Sequence, residues 1–71
     1  MKANLLRGKI VEQGMNVGEF CVKANFVRST FDRKLNGETE FTRDEIDRII
    51  SILGLSEQET CNIFFTRAVA E

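Results

Sequence analysis

The sequence predicts an all-α fold, a compact bundle of five short helices, on three observations. One punctuation recurs: a large apolar residue, a capping residue, two spacers and a Glu. It appears in Met15-Asn16-Val17-Gly18-Glu19, Phe41-Thr42-Arg43-Asp44-Glu45 and Leu55-Ser56-Glu57-Gln58-Glu59. This is the capping box: the cap side chain accepts from the amide three residues on, and the Glu accepts from the cap's own amide. Apolar residues also recur at the helical period, most plainly Ile46, Ile49, Ile50 and Leu53. Finally, no segment alternates with period two for long enough to make a strand.

The first helix is expected over about residues 4–13, with Leu6 and Ile10 inward and Gly14 as a left-handed stop. The second, over about 17–24, buries Phe20, Cys21 and Ala24; Met15 and Phe20 staple its start. The third, over about 28–35, ends at Asn36-Gly37. The fourth, over about 43–53, is stapled by Phe41 and Ile46 and stopped by Gly54. The fifth is expected over about 57–69, although Thr60 stands where the staple wants an apolar residue. Its helical phase puts Cys61, Phe64 and Ala68 on the core side, with Ile63 on the far side.

The chain has 71 residues, enough for one domain with a small core. No apolar run approaches the ~20 residues of a membrane span, and no secretory leader is evident, so a cytoplasmic protein is expected. Cys21 and Cys61 have no second pair to form a metal or redox motif, and both are expected to be small buried hydrophobes. Histidine is absent, and no Ser or Cys has an evident activating partner. No enzyme, cofactor or metal site is expected.

The net charge of −1 conceals a split. Residues 1–37 carry seven basic and three acidic residues, whereas residues 38–71 carry three basic and eight acidic. One half can face a polyanion while the other keeps away. The stretch Asn25-Phe26-Val27 leaves only a tight turn between the second and third helices. Asn25 suits its left-handed position, and Phe26 packs inward beside Phe31. This spacing reads as a helix-turn-helix over about residues 16–37. On the third helix Phe31 and Leu35 fill the core, while Arg28, Ser29, Asp32 and Arg33 turn the other way.

From Leu5 to about Leu55, the segments GMNVGEFCVKANFVRSTFDRKLNG and FTRDEIDRIISILGLS resemble the Cro/CI-type helix-turn-helix proteins, the XRE family, in a short phage-regulator-like form. The resemblance implies a lambda-repressor-like DNA-binding domain and a regulator, repressor or Cro-like, that reads an operator through the major groove. Carried over by position, it places Arg28, Ser29 and Arg33 at base edges, with Thr30 and Asp32 as further candidates. It places Asn16, Val17, Lys34 and Asn36 near phosphates. Arg suits guanine O6 and N7 through its two-pronged fork, and Lys suits a phosphate as a point charge. Three positions depart from the family pattern: Val17 stands for a common Gln, Asn25 for Gly, and Val27 for a Ser or Thr cap. The last leaves two readings. The preferred one has Asn25 capping a third helix that begins a turn earlier; the other leaves its first amides for a phosphate.

The apolar surplus of the last helix predicts a twofold homodimer, with Phe65 and Val69 at its centre and Ile52 or Ile63 at its edge. Such a dimer fits a partly palindromic operator, with no small-molecule effector. The alternative keeps the fold without DNA binding: a protein-interaction module, antirepressor or antitoxin-like, docking through the acidic half. An excision or recombination accessory factor shares the DNA binding of the first reading.

Overall fold

The computed structural model describes residues 2–65, which form five α-helices: α1 (Ala3–Glu12), α2 (Val17–Ala24), α3 (Arg28–Leu35), α4 (Arg43–Leu53) and α5 (Glu57–Phe64). No strand occurs among the described residues, and the chain is all-α there. All three capping boxes form. Asn16, Thr42 and Ser56 accept from the amides of Glu19, Glu45 and Glu59, whose carboxylates accept in turn from the cap amides. Left-handed residues follow α1, α2 and α4 as expected: Gly14 at φ 79°, Asn25 at 60° and Gly54 at 64°.

Asn25 corrects one expectation. It closes α2 in the left-handed region, whereas an N-cap needs extended backbone, so it does not cap α3. The N-cap is Val27, at φ −75° and ψ 131°, which brings no side-chain acceptor. α3 therefore starts at Arg28 and its first amides are uncapped.

Each helix contributes apolar residues to one core. Leu6 and Ile10 come from α1, Phe20, Cys21 and Ala24 from α2, Phe31 and Leu35 from α3, and Ile49 and Leu53 from α4. Aromatic rings run through this core. The Phe31 centroid lies 5.6 Å from Phe20, 5.1 Å from Phe26 and 5.7 Å from Phe41, and Phe41 lies 5.7 Å from Phe64. These separations fall in the range where tilted and edge-to-face rings attract.

α5 departs most from expectation, because its phase is turned. Ile63 is wholly buried and Thr60 nearly so, while Cys61 is exposed. The Thr60 hydroxyl donates to the Ser56 carbonyl oxygen at 2.9 Å, so Thr60 can occupy the inward staple position beside buried Leu55. From Thr60 the helical period carries Ile63 and Phe64 inward and Cys61 outward. Ile63 is thus a core residue rather than an interface edge, and its carbonyl accepts from the Lys2 amide at 2.8 Å. Ile52 also differs: it is half-buried and packs against the core instead of projecting from it. Backbone at Phe65 has left the helix (φ −123°, ψ 33°), and Ala68 and Val69 lie outside the described residues.

Two substitutions test this layout. Gly8 lies mid-α1 with open space where a Cβ would stand. Gly8→Ala is expected to stabilise by about 0.5–1 kcal/mol through backbone entropy alone. Thr42→Ala removes the α4 cap and is expected to cost ~1 kcal/mol. Urea midpoints measure both, and a lower midpoint for Gly8→Ala would contradict the open face of α1.

Candidate nucleic-acid interface

Phe31 and Leu35 pin α3 from behind, which fixes what it presents outward. Arg28, Ser29, Thr30 and Arg33 are all exposed. Asp32 is half-buried, and its Oδ1 accepts from Arg28 Nε at 3.3 Å, one turn along the helix. Val27, at the uncapped start, is 67% exposed. Four of the expected α3 residues are thus solvent-exposed, and Asn36 is exposed just past the helix end.

Lys34 does not join them. It is only 9% exposed. Its Nζ donates to the Glu40 carbonyl at 3.0 Å, pairs with Glu45 Oε1 at 3.1 Å and lies 5.8 Å from the Phe41 ring centre. Standing three residues after Phe31 and one before Leu35, it flanks the buried face, and its stem follows apolar surface inward. The expected phosphate contact gives way to a tie between the end of α3 and the start of α4.

The start of α2 is also committed to structure. Asn16 is exposed, but its Oδ1 accepts from the Glu19 amide at 2.8 Å. Val17 is half-buried against the core. Cys21 is buried on the same helix, and burial pushes its thiol up.

Two features escaped the sequence reading. Arg48 lays its guanidinium over the Phe26 ring, 4.9 Å from the centre, and lids the turn between α2 and α3. Its Nε is buried without a hydrogen-bond partner. Position on the flank of α4 was its only signal. The other is Glu45, which serves the cap of α4 and the Lys34 ammonium together; the capping motif gave the first role and concealed the second.

Among the described residues, no helix is long and apolar enough to cross a membrane, and no cluster of His, Cys, Asp or Glu is arranged to hold a metal ion. No protein-family model matches the chain, and neither a curated protein nor a solved structure matches it.

The Lys34–Glu45 tie has a pH signature. Partial burial pushes the Glu45 carboxyl up, but the Thr42 amide and the Lys34 ammonium more than offset this, leaving it below its ordinary value of 4.5. The Lys9 ammonium and the Ser56 amide likewise hold Glu59 low. A carboxyl depressed in the folded state stabilises above its unfolded pKa, and that stability is lost as pH falls through the folded value. Melting temperature is therefore expected to fall on acidification below about pH 4.5. Glu45→Gln should flatten part of that fall, with Glu59 supplying the remainder. An unchanged pH profile in Glu45→Gln would remove Glu45 from this role.

Proposed function

We propose that the protein is a sequence-specific double-stranded DNA-binding transcriptional regulator, repressor or Cro-like. In this reading α2 and α3 act as a helix-turn-helix, and α3 enters the major groove. The observation that carries it is the outer face of α3, where Arg28, Ser29, Thr30 and Arg33 are exposed together on a helix anchored by Phe31 and Leu35. Two exposed arginines on this helix supply bidentate donors for guanine edges, and Ser29 and Thr30 add hydroxyls for either kind of base. The uncapped amides that begin α3 suit a phosphate, as does the side chain of Asn36. With Lys34 engaged inside, the phosphate role of a cation falls to exposed residues such as Lys23. The basic excess of residues 1–37, which include α3, suits a polyanion.

Assembly as a twofold homodimer belongs to the same proposal. Phe65 is 57% exposed beside half-buried Phe64, a large apolar ring at the end of the last described helix. Phe65 would stand at the centre of that interface. Two copies would then set their α3 helices about 34 Å apart, one DNA turn, for inverted half-sites.

Selecting bound sequences from a random duplex library tests the reading, because a half-site and its spacing both emerge. A steep fall of affinity with salt is expected. The competing protein-docking role predicts no selected site and no such slope.

Three variants sharpen the test. Arg33→Ala is expected to lose roughly 1–3 kcal/mol of base discrimination at one position; unchanged preference would remove it as a reader. Lys23→Ala should weaken all sequences alike and reduce the salt slope by about one unit. Phe65→Glu should sediment as a folded monomer with much weaker operator binding, and a monomeric wild type at tens of micromolar would overturn the dimer.

A further inference from the structure

Val27 serves neither the core nor the cap of the helix it begins. At the same position of their own helices, Asn16, Thr42 and Ser56 each bring a side-chain acceptor. Valine brings none, and it is among the poorest N-cap residues. Its side chain is 67% exposed, between half-buried Phe26 and exposed Arg28. Its place is nevertheless fixed. The Phe31 amide donates to the Val27 carbonyl at 2.9 Å, and the neighbouring Phe26 ring is seated 5.1 Å from that of Phe31. Branching at Cβ leaves the side chain few rotamers, so its two methyl groups meet solvent with little freedom to lose on binding.

A lone exposed valine is ordinary on a protein surface, but the setting of this one narrows what covers it. The residues after it, Arg28, Ser29 and Thr30, are polar and exposed. Before it, Phe26 packs on the core and lies under the Arg48 guanidinium, 4.9 Å from its ring centre. A protein partner or a second copy would call for contiguous apolar surface, which these chain neighbours do not supply. An isolated apolar group beside a cation, in a segment of basic excess, suits instead a polyanion that carries isolated methyl groups. The C5-methyl of thymine in the major groove is such a group. We infer that Val27 is a specificity-determining residue that packs against a thymine methyl group, a role that rests on the DNA-binding reading above and adds an apolar contact to its polar ones. The residues that open a recognition helix are those that meet base edges. A Ser cap there would serve the α3 amides but offer the base no methyl group.

The operator recovered by duplex selection tests this once each thymine is replaced in turn by deoxyuridine, which pairs identically and lacks only the methyl group. Wild type is expected to bind about three- to fivefold more weakly when one particular thymine loses its methyl, the scale of one buried methyl group. Val27→Ala should bind the two duplexes nearly alike, and Val27→Thr, which retains one methyl group, should keep part of the difference. Val22→Ala, at a valine 82% exposed on α2, should keep all of it. Val27→Ser should lose the methyl dependence while raising the melting temperature by about 4–8 °C, because it supplies the missing cap. A lower melting temperature in Val27→Ser would show that Val27 serves the fold and overturn the inference. So would a wild type indifferent to every thymine methyl, or a methyl dependence that Val22→Ala also removes. An equal weakening of all sequences by Val27→Ala would set the side chain against sugar and phosphate and overturn it too. A chain that selects no duplex defeats the DNA reading and this role with it; a chain that selects a site yet keeps its methyl dependence in Val27→Ala defeats this role alone.

Discussion

Phe31 is the contact on which α3 depends. α3 has eight residues, about two turns, and a free helix of that length does not persist in water. It lacks the side-chain cap that α2, α4 and α5 enjoy. What holds it is burial of Phe31 between rings contributed by α2, the α2–α3 turn and the segment before α4. The outward residues of α3 have a fixed direction because this one ring has a fixed seat. Loss of such a buried ring costs several kcal/mol, which is comparable to the whole margin of a domain this small.

The far end of α3 is secured by polar means. Lys34 reaches past Phe41 to the Glu40 carbonyl and the Glu45 carboxylate. Glu45 in turn accepts from the Thr42 amide, so one carboxylate joins the end of a helix, the loop after it and the start of the next. A pair so little exposed is expensive to desolvate, and its value lies in satisfying several groups at once. The arrangement also subtracts a positive charge from the surface that the sequence alone credits with it.

Helix starts were largely legible because their signal is local. A capping box occupies four residues, and all three formed at the residues that spell them. The left-handed role of Asn25 was legible for the same reason. The start of α3 was not: a residue that ends one helix in the left-handed region cannot also cap the next, and the two roles of Asn25 were read without that exclusion. The phase of α5 was misread by favouring Cys61 over Thr60, although the capping grammar already placed Thr60 inward. A hydroxyl satisfied by the Ser56 carbonyl can replace a methyl group in that seat. Lys34 and Arg48 show a different limit. Long cations follow whichever apolar surface and acceptor the tertiary fold brings near, and no spacing rule encodes that. The exposed residues of α3 were legible from its amphipathic pattern, whereas the approach of Arg28 to the first turn of α2 was not, since it joins two helices.

The exposed start and middle of α3 bear differently on how such a chain changes over generations. Val27, Ser29, Thr30 and Arg33 are all exposed, and none contributes to the buried core. Substitutions at sites of this kind shift stability by no more than about 0.5 kcal/mol in most proteins. This surface can therefore be rewritten many times while the scaffold beneath it stays intact, without passing through unstable intermediates. Asn25 has no such latitude: at φ 60° it excludes β-branched replacements and leaves little beyond glycine and aspartate. Within three positions the chain passes from a residue that drift must spare to residues that drift can spend freely.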